Sequence, residues 1–298
     1  MATPSLKQLR YFVALEQYQH FGKAAEACYV SQSAFSMAIK ELEGILGIQL
    51  VDRTQRHVTI THVGKAVATQ ARVVLRDLDN LQHYANSYSE PLSGRLELGI
   101  IPTIAPFLLP RILPKIRAHF PKLDIYLRED LTQRLHERLM EGELDVILLA
   151  LPYELRYVET RVLFNDGFRL ACHHNTTHIN PVYYHLEQVN AESILLLEDG
   201  HCLRDHALLA CQIRNLDKIN RFGVSSLLTL IHMVDADLGI TFLPEMAEGS
   251  PLLAGTQIRT YALQEEGQRE IALAWRQGSA RAEAFGLLGE VIGKSYLV

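Results

Sequence analysis

The chain has 298 residues, of which 48% are hydrophobic and 21% are charged, as is typical of a soluble globular protein with two or three modules. No apolar run approaches the ~20 residues needed to cross a bilayer, and the N-terminus lacks the features of a signal peptide, so we expect a cytoplasmic protein without a membrane partner. The net charge of -5 argues weakly against nucleic acid as a partner, but this charge is uneven. Residues 1–66 carry seven basic and five acidic side chains, whereas residues 91–298 carry twenty and twenty-six, which fits DNA binding confined to the N-terminal part.

The first 60 residues predict a helix-turn-helix. A helix over residues 6–18 has apolar side chains at helical spacing, and a second over 22–28 has small residues that let two helices cross closely. Ser31 suits the N-cap of a third helix. The predicted inward positions of the third helix are Ala34, Phe35, Ala38, Ile39, Leu42 and Leu46. The candidate contacts to phosphates and base edges of a major groove are Ser31, Gln32, Ser33, Ser36, Met37 and Lys40. The simpler alternative is a three-helix bundle whose polar face is only solvated.

A hairpin and a long helix follow. Two β-type runs flank "RTQRH", so we expect a wing with Arg53, Arg56 and His57 near its tip, able to contact the DNA backbone or the minor groove. Residues 61–88 are predicted to form one helix with a heptad seam, which is typical of a dimer helix and would place two recognition helices on two half-sites. The seam consists of Val67, Ala71, Val74, Leu78, Leu81, Ala85 and Tyr88.

The remaining chain alternates strand-like and helical segments after a turn-rich boundary at residues 90–95. Such alternation predicts a parallel sheet with both faces covered by helices. The predicted strands are "RLELGII", "LDIYLRED", "LDVILLA", "FRLACHH", "SILLLED", "INRFGV", "GITFLP" and "REIALAWR". The predicted helices cover residues 102–121, 131–143, 225–239 and 280–295. The fold class is therefore α/β behind an all-α head.

Two of the four cysteines lie in "LLLEDGHCLRDHALLAC". Asp199 and Gly200 resemble a helix start, which would put Cys202 in the first turn, where the helix dipole lowers a thiol pKa from its usual ~8.5. Cys211 lies in an apolar run, where a cysteine is usually an inert hydrophobe. Nine helical residues advance about 13–14 Å, whereas a disulfide needs Cα atoms within roughly 7 Å, so a bond between them would require refolding. We expect Cys28 and Cys172 to be structural, and the four spacings predict neither a metal site nor a cofactor.

Residues 1–90 resemble the DNA-binding head and linker helix of LysR-type transcriptional regulators, in "LRYFVAL", "HFGKAAEACYVSQSAFSMAIKELEGILGIQLVDRT" and "VTITHVG". Ser33 and Met37 depart from the proline and the polar residue that many members have there. The resemblance implies a winged helix-turn-helix over residues 1–60, a linker and dimerisation helix over 61–90, and a regulatory domain over 91–298. The regulatory domain would be two-lobed and periplasmic-binding-protein-like, with lobe I at about 92–164 and 268–298 and lobe II at about 165–267.

The core "EDGHCLRD", with a second cysteine nine residues on, and "GIIPTIAPFLLP" resemble the hydrogen-peroxide-sensing members of that family. The resemblance implies that peroxide oxidises Cys202, which then forms a disulfide with Cys211. It also assigns peroxide positioning and thiolate stabilisation to Thr103, Thr132, His201, Asp205 and Arg269. The implied partners are double-stranded DNA, hydrogen peroxide as the signal, a homo-oligomer built as a dimer of dimers, RNA polymerase and a thiol reductant.

Three functional alternatives stay open. The leading one is a peroxide-responsive transcriptional activator that is not an enzyme. The second is a LysR-type regulator that binds a small organic effector in the cleft between its lobes, with incidental cysteines. The third, a thiol peroxidase or cysteine hydrolase, has no need of the DNA-binding head. For single residues, the simpler roles are helix capping for the two threonines and a solvated charge for Arg269.

Overall fold

The computed structural model describes residues 3–53, 58–87, 92–181, 189–190, 192–211, 216–220, 223–263 and 267–296. The chain forms two compact units, Met1–Ser89 and Glu90–Val298. None of the helices in the described part of the chain combines the length and apolar character that a membrane span requires.

The first unit contains three short helices, a two-stranded hairpin and one long helix. Ser5 caps the first helix through a reciprocal capping box with Gln8, and the Ser31 side chain accepts a hydrogen bond from the Ala34 backbone N–H at the start of the third. Gly47 ends the third helix in the left-handed conformation. The elements are α1 (Leu6–Tyr18), α2 (Phe21–Ala27), α3 (Gln32–Leu46), β1 (Val51–Arg53), β2 (Val58–Ile60) and α4 (His62–Ser87). These bounds confirm the predicted order of the head.

The head has its own apolar core. The Phe35 ring of α3 stacks on Tyr11 of α1 and meets Phe21 of α2 edge-on, with ring centroids 5.0 Å and 6.2 Å away. Phe35, Ile39 and Leu42 are buried as predicted, but Ala34 is exposed. The first turn of α3 extends beyond the core, so all three of its residues face outward.

The second unit is a mixed sheet covered by helices. The sheet order is β4-β3-β5-β9-β6-β7, with β8 paired to β6. The elements are β3 (Gly94–Ile100), α5 (Ala105–His119), β4 (Leu123–Glu129), α6 (Thr132–Glu141), β5 (Val146–Leu151), β6 (Val158–His173), α7 (Cys202–Ala210), α8 (Leu227–Asp235), β7 (Thr241–Pro244), β8 (Ile258–Ala262), β9 (Gln268–Arg276) and α9 (Ala282–Tyr296).

The sheet is only partly parallel. β3 pairs parallel with β4 and β5, but β9 runs antiparallel between β5 and β6. The first part of β6 pairs with β9, and its last residues pair with β7 and β8, so the chain passes from one lobe to the other along this strand. The prediction of a fully parallel sheet was therefore wrong, because β6 and β9 run antiparallel to the strands beside them.

Within the described residues, the predicted strands at 193–199 and 219–224 form only isolated bridges. Ile194 makes single bridges to Ile219 and Ile240, and Leu197 makes one to Val224. This part of the second lobe is held by short parallel contacts and by burial of its leucines. Conversely, the first half of β6, starting at Val158, has no counterpart in the sequence prediction.

The topology gathers three loop regions at one edge of the sheet. The parallel strands β3 and β4 end at the same edge, where Thr103 and Thr132 follow them. β9 runs the other way, so it begins at that edge, and Arg269 is its second residue. Residues far apart in sequence are thus brought together where the candidate site lies.

Candidate functional site

A buried ion pair forms the base of the candidate site. The Arg269 guanidinium donates from Nε and Nη2 to Asp166 Oδ2, at 3.0 and 2.9 Å, and both side chains are fully buried. Its remaining donors reach the side-chain oxygen of Thr103 at 3.3 Å and the Thr103 backbone carbonyl at 3.1 Å. A buried pair with its hydrogen bonds satisfied holds the guanidinium in one orientation. Arg269 is therefore not the solvated charge of the simpler alternative.

Asp166 fixes this pair from the other side. Its Oδ1 accepts hydrogen bonds from the Met246 backbone N–H at 2.9 Å and from the Tyr296 hydroxyl at 3.3 Å. One carboxylate therefore joins β6 and β9 to the segment after β7 and to the last helix. Asp166 was not predicted from the sequence, because nothing in "FNDGF" distinguishes it from an ordinary polar residue before a strand.

Cys202 is the first residue of α7, and His201 is the N-cap. The prediction that Cys202 lies in the first turn is confirmed, although the helix starts later than Asp199. The preceding Gly200 has a φ of +99°, which favours glycine, and a Cβ added there would lie 3.4 Å from Leu131 Cδ1. The turn before α7 thus packs against the residue before α6.

Cys202 lies among the residues gathered at the sheet edge. Cys202 is 5% exposed. The charge of Arg269 and the hydroxyls of Thr132 and Thr103 are all near enough to its thiol to favour the thiolate. Thr132 is buried, and its hydroxyl has no hydrogen-bond partner of standard geometry among the described residues. Neither threonine is a cap: Ile104 and Leu131 hold the N-cap positions, without side-chain cap bonds.

Burial dominates the electrostatics of the thiol. Burial raises the pKa of Cys202, whereas the charge of Arg269 and the hydroxyls of Thr132 and Thr103 lower it. The net direction is upward, so the expected lowering by the helix start was wrong: desolvation of the thiolate outweighs the favourable groups. Asp205 is exposed, and its carboxylate raises the pKa of Cys202 further, which opposes the thiolate stabilisation expected of it.

Two histidines of this region are buried. Burial lowers the pKa of both His201 and His206, so both rings are neutral near pH 7. His206 Nε2 lies 3.0 Å from the Pro152 carbonyl oxygen. The Nδ1 atoms of both rings are buried and have no hydrogen-bond partner in the described part of the chain. His206 was not among the sequence candidates, although its position one turn after Cys202 was available as a signal.

Cys211 caps the other end of α7. It is buried, its backbone N–H donates to Ala207 at 2.9 Å, and both it and Cys202 are thiols. The full length of α7 separates the two residues, which is about 13–14 Å of helix rise. Of the other cysteines, Cys172 is buried on β6, where burial raises its pKa to about 11, and Cys28 is half-buried at the end of α2.

A second candidate surface lies on the first unit. The side chains of Ser31, Gln32, Ser33, Met37 and Lys40 are exposed on α3, and Ser36 is half-buried. The hydroxyls of Ser31 and Ser33 lie 3.2 Å apart. Arg53 ends β1, but its side chain lies outside the described residues, as do Arg56 and His57 entirely.

The predicted seam of α4 is covered within one chain near its start and uncovered further along. Leu81 is 62% exposed and Val74 is exposed, whereas Val67 and Leu78 are half-buried and Ala71 is buried. The side chain of Ala85 and the whole of Tyr88 lie outside the described residues. No group of acidic, histidine and cysteine side chains within the described ranges has an arrangement that could hold a metal ion.

Two family models match most of the chain. Residues 6–65 match "Bacterial regulatory helix-turn-helix protein, lysR family", and residues 89–295 match "LysR substrate binding domain". The chain belongs to the LysR family of transcriptional regulators. Its fold is accordingly an N-terminal DNA-binding helix-turn-helix followed by a two-lobed, periplasmic-binding-protein-like regulatory domain, as predicted.

Similar proteins include regulators with different names. The chain is 38% identical to the HTH-type transcriptional regulator EstR of Acinetobacter baylyi over 98% of this chain and 97% of that protein. It is also 38% identical to a hydrogen peroxide-inducible genes activator of Escherichia coli O6:H1, over 97% and 94% of the two chains. Among solved structures, full-length OxyR C199D from Pseudomonas aeruginosa has a TM-score of 0.80 at 34% identity, over 98% of this chain and 95% of that one.

Proposed function

We propose that this regulator senses hydrogen peroxide at Cys202 and switches by forming a disulfide between Cys202 and Cys211. The observation that carries the proposal is the buried cluster of Cys202, Thr103, Thr132 and Arg269 at one end of a helix whose other end is Cys211. The similarity to a hydrogen peroxide-inducible genes activator and to OxyR supports the same function.

The first step is oxidation of the thiol. The Cys202 sulfur attacks one peroxide oxygen, the S–O bond forms as the O–O bond breaks, and the departing hydroxide takes a proton to become water. The two threonine hydroxyls orient the peroxide, and Arg269 stabilises the negative charge that develops on the leaving oxygen. We also assign His201, which precedes Cys202 in the chain, and Asp205 to peroxide positioning, because the Asp205 carboxylate does not stabilise the thiolate.

The second step closes the disulfide. The Cys211 thiol attacks the sulfenic acid of Cys202, and a second water leaves. The helix keeps the two residues too far apart for a bond, so α7 must unwind. Unwinding withdraws Leu203 and Cys211 from the core, at about 1.5–3 kcal/mol for a large buried side chain. Leu209 is exposed and adds nothing to this cost. A complete switch needs about 5.5 kcal/mol, which a favourable disulfide potential supplies.

The output is a change in DNA binding. Two chains pair through α4, and two pairs form a dimer of dimers. Ser31, Gln32, Ser33, Ser36, Met37 and Lys40 read the major groove of double-stranded DNA, and the wing residues Arg53 and Arg56 contact its backbone. Contact with RNA polymerase makes the oxidised protein an activator, and a thiol reductant restores the reduced form.

Thiol mass spectrometry before and after brief exposure to micromolar peroxide tests the proposal. We expect a Cys202–Cys211 disulfide in the parent protein and no peroxide response in Cys202→Ser. Cys172→Ser is the matched control, because it removes a buried thiol outside the cluster and should leave the response intact. A normal transcriptional response in Cys202→Ser would overturn the proposal.

A second candidate function is regulation by a small organic effector. A depression of about 640 Å³ lies beside the Pro152 segment and is lined by Tyr153, Thr160 and Glu270 among others. The chain is as similar to EstR, which is not named as a peroxide activator, as it is to the hydrogen peroxide-inducible genes activator. A protein whose cysteines are inert to peroxide, and whose DNA binding changes with an organic ligand, would favour this function.

A further inference from the structure

His206 is the buried histidine that shares a helix face with Cys202. The two residues are four positions apart on α7, a spacing that brings Cβ atoms to within about 5–6 Å on one side of a helix. His201, by contrast, is adjacent to Cys202 in sequence, and adjacent helical residues do not face each other. The ring of His201 has a hydrogen bond to the backbone of Ser225.

The hydrogen bond of His206 determines which nitrogen carries the proton. A carbonyl oxygen only accepts, so the Nε2 that lies 3.0 Å from Pro152 must donate its hydrogen. Nδ1 of the neutral ring then has a free lone pair, and it is buried without a partner among the described residues. An unsatisfied buried acceptor is costly, so its presence on the helix face that carries the buried Cys202 calls for an explanation.

Several groups change the pKa of His206. Burial lowers this pKa, as does the charge of Arg269 on β9, whereas the Pro152 carbonyl and the Asp205 carboxylate on α7 raise it. The same guanidinium acts on the Cys202 thiol, so the two groups share one electrostatic environment. Burial, Cys202, Glu137 and Asp205 all raise the pKa of Tyr153, which follows β5.

We propose that His206 Nδ1 is the base that takes the proton of the Cys202 thiol, and that the resulting imidazolium returns it to the departing hydroxide. This inference rests on the proposed function. The sum is thiol plus hydrogen peroxide giving sulfenic acid plus water: sulfur is oxidised, the O–O bond is reduced, and one proton passes from sulfur to nitrogen to oxygen.

The proposal predicts an unusual pH profile. Transfer of a proton within the pair neither takes up nor releases a proton, so the reactive thiolate–imidazolium fraction is independent of pH between the two pKa values. If a buried thiol ionised alone, its thiolate fraction would instead rise about tenfold for each unit of increase in pH, as long as the pH stays below the pKa. Burial pushes the pKa of Cys202 up and that of His206 down, which widens the flat range around neutrality.

The test measures the rate of Cys202 oxidation by quenched-flow sulfenic acid trapping between pH 6 and 9, in a Cys211→Ser background that stops at the first step. We expect a flat profile with His206 present. In His206→Gln, whose amide can still donate to Pro152, we expect a rate at least tenfold lower at pH 7 that rises about tenfold per pH unit. His232→Gln is the matched control, because His232 is an exposed histidine on α8.

Several results would overturn the proposal. A tenfold rise per pH unit with His206 present would mean that the thiol ionises without a base, and this result does not depend on how the variant folds. An unchanged rate in His206→Gln, or a rate lowered equally at every pH, would leave only a structural role. If His201→Gln alone introduced the pH dependence, the base would be His201. If Cys202 did not react with peroxide in any of these proteins, the proposed function itself would fail.

Discussion

Gly267 approaches Ala210 more closely than any other residue type could. A Cβ added to Gly267 would stand 2.3 Å from the Ala210 Cβ and 2.5 Å from its Cα, so the backbone before β9 lies directly against the last turn of α7. This contact lies one residue before Cys211. The absence of a side chain at Gly267 therefore allows the end of α7 to dock.

Gly267→Ala should favour the oxidised state. The added methyl group forces the end of α7 outward, which costs about 1–3 kcal/mol in the reduced protein and little once the helix has unwound. We expect the midpoint potential of the Cys202–Cys211 couple to fall by roughly 20–60 mV in glutathione redox buffers. Gly44→Ala is the control, because a Cβ added to Gly44 would have nothing within 4 Å. An unchanged potential in Gly267→Ala would mean that the contact is not released on oxidation.

Asp166→Asn should destabilise the fold and slow the reaction with peroxide. The substitution leaves the Arg269 charge buried without its counter-charge, which costs about 3–5 kcal/mol of the free energy of unfolding. Urea unfolding measures this loss. Glu290→Gln is the control, because it breaks an exposed pair with Arg161 worth about 0–1 kcal/mol. Equal stability of the two variants would contradict the importance assigned to the buried pair.

Leu81→Asp should separate the dimer. Leu81 is exposed in the single chain, and the proposed seam would bury a new carboxylate against its copy in the partner. Sedimentation velocity should show a smaller species, with operator binding lost at the same time. Asp77→Lys changes charge at an exposed position off the seam and should leave the assembly intact. If Leu81→Asp remained oligomeric, the predicted seam of α4 would not be the dimer interface.

Lys40→Ala should weaken DNA binding for all sequences. Lys40 is exposed on α3, so we expect it to neutralise one phosphate, and its loss should reduce the slope of log K against log salt by about one. Arg156→Ala, which removes an exposed cation from the other unit, is the control. Equal slopes for the parent and Lys40→Ala, measured by fluorescence anisotropy, would remove Lys40 from the interface.

Cys211→Ser should uncouple oxidation from refolding. Without Cys211 the sulfenic acid at Cys202 has no thiol with which to form a disulfide. Helix α7 therefore does not need to unwind. We expect peroxide to increase amide hydrogen exchange across 202–211 in the parent protein, but not in Cys211→Ser. A similar increase in both proteins would show that sulfenic acid alone unwinds the helix.

The sequence predicted elements that depend on local pattern. The cap at Ser31, the long helix α4 and the position of Cys202 in the first turn of α7 are all local features. The antiparallel course of β6 and β9 was missed, since strand direction depends on contacts between distant segments. Asp166 was missed for the same reason. The direction of the Cys202 pKa was wrong because the helix start is visible in sequence, whereas the desolvation that outweighs it is a property of the packed core.

The burial of Cys202 lets the proposed switch discriminate between reagents by their size. A thiol that is 5% exposed admits a small oxidant more readily than a bulky one, so protein disulfides and large alkylating reagents should react with the reduced form slowly. After α7 unwinds, the disulfide loses that cover, and a reductant as large as another protein can reach it. The signal and its reversal would therefore use different shapes of the same segment, and the reductant would not compete with peroxide for the folded site.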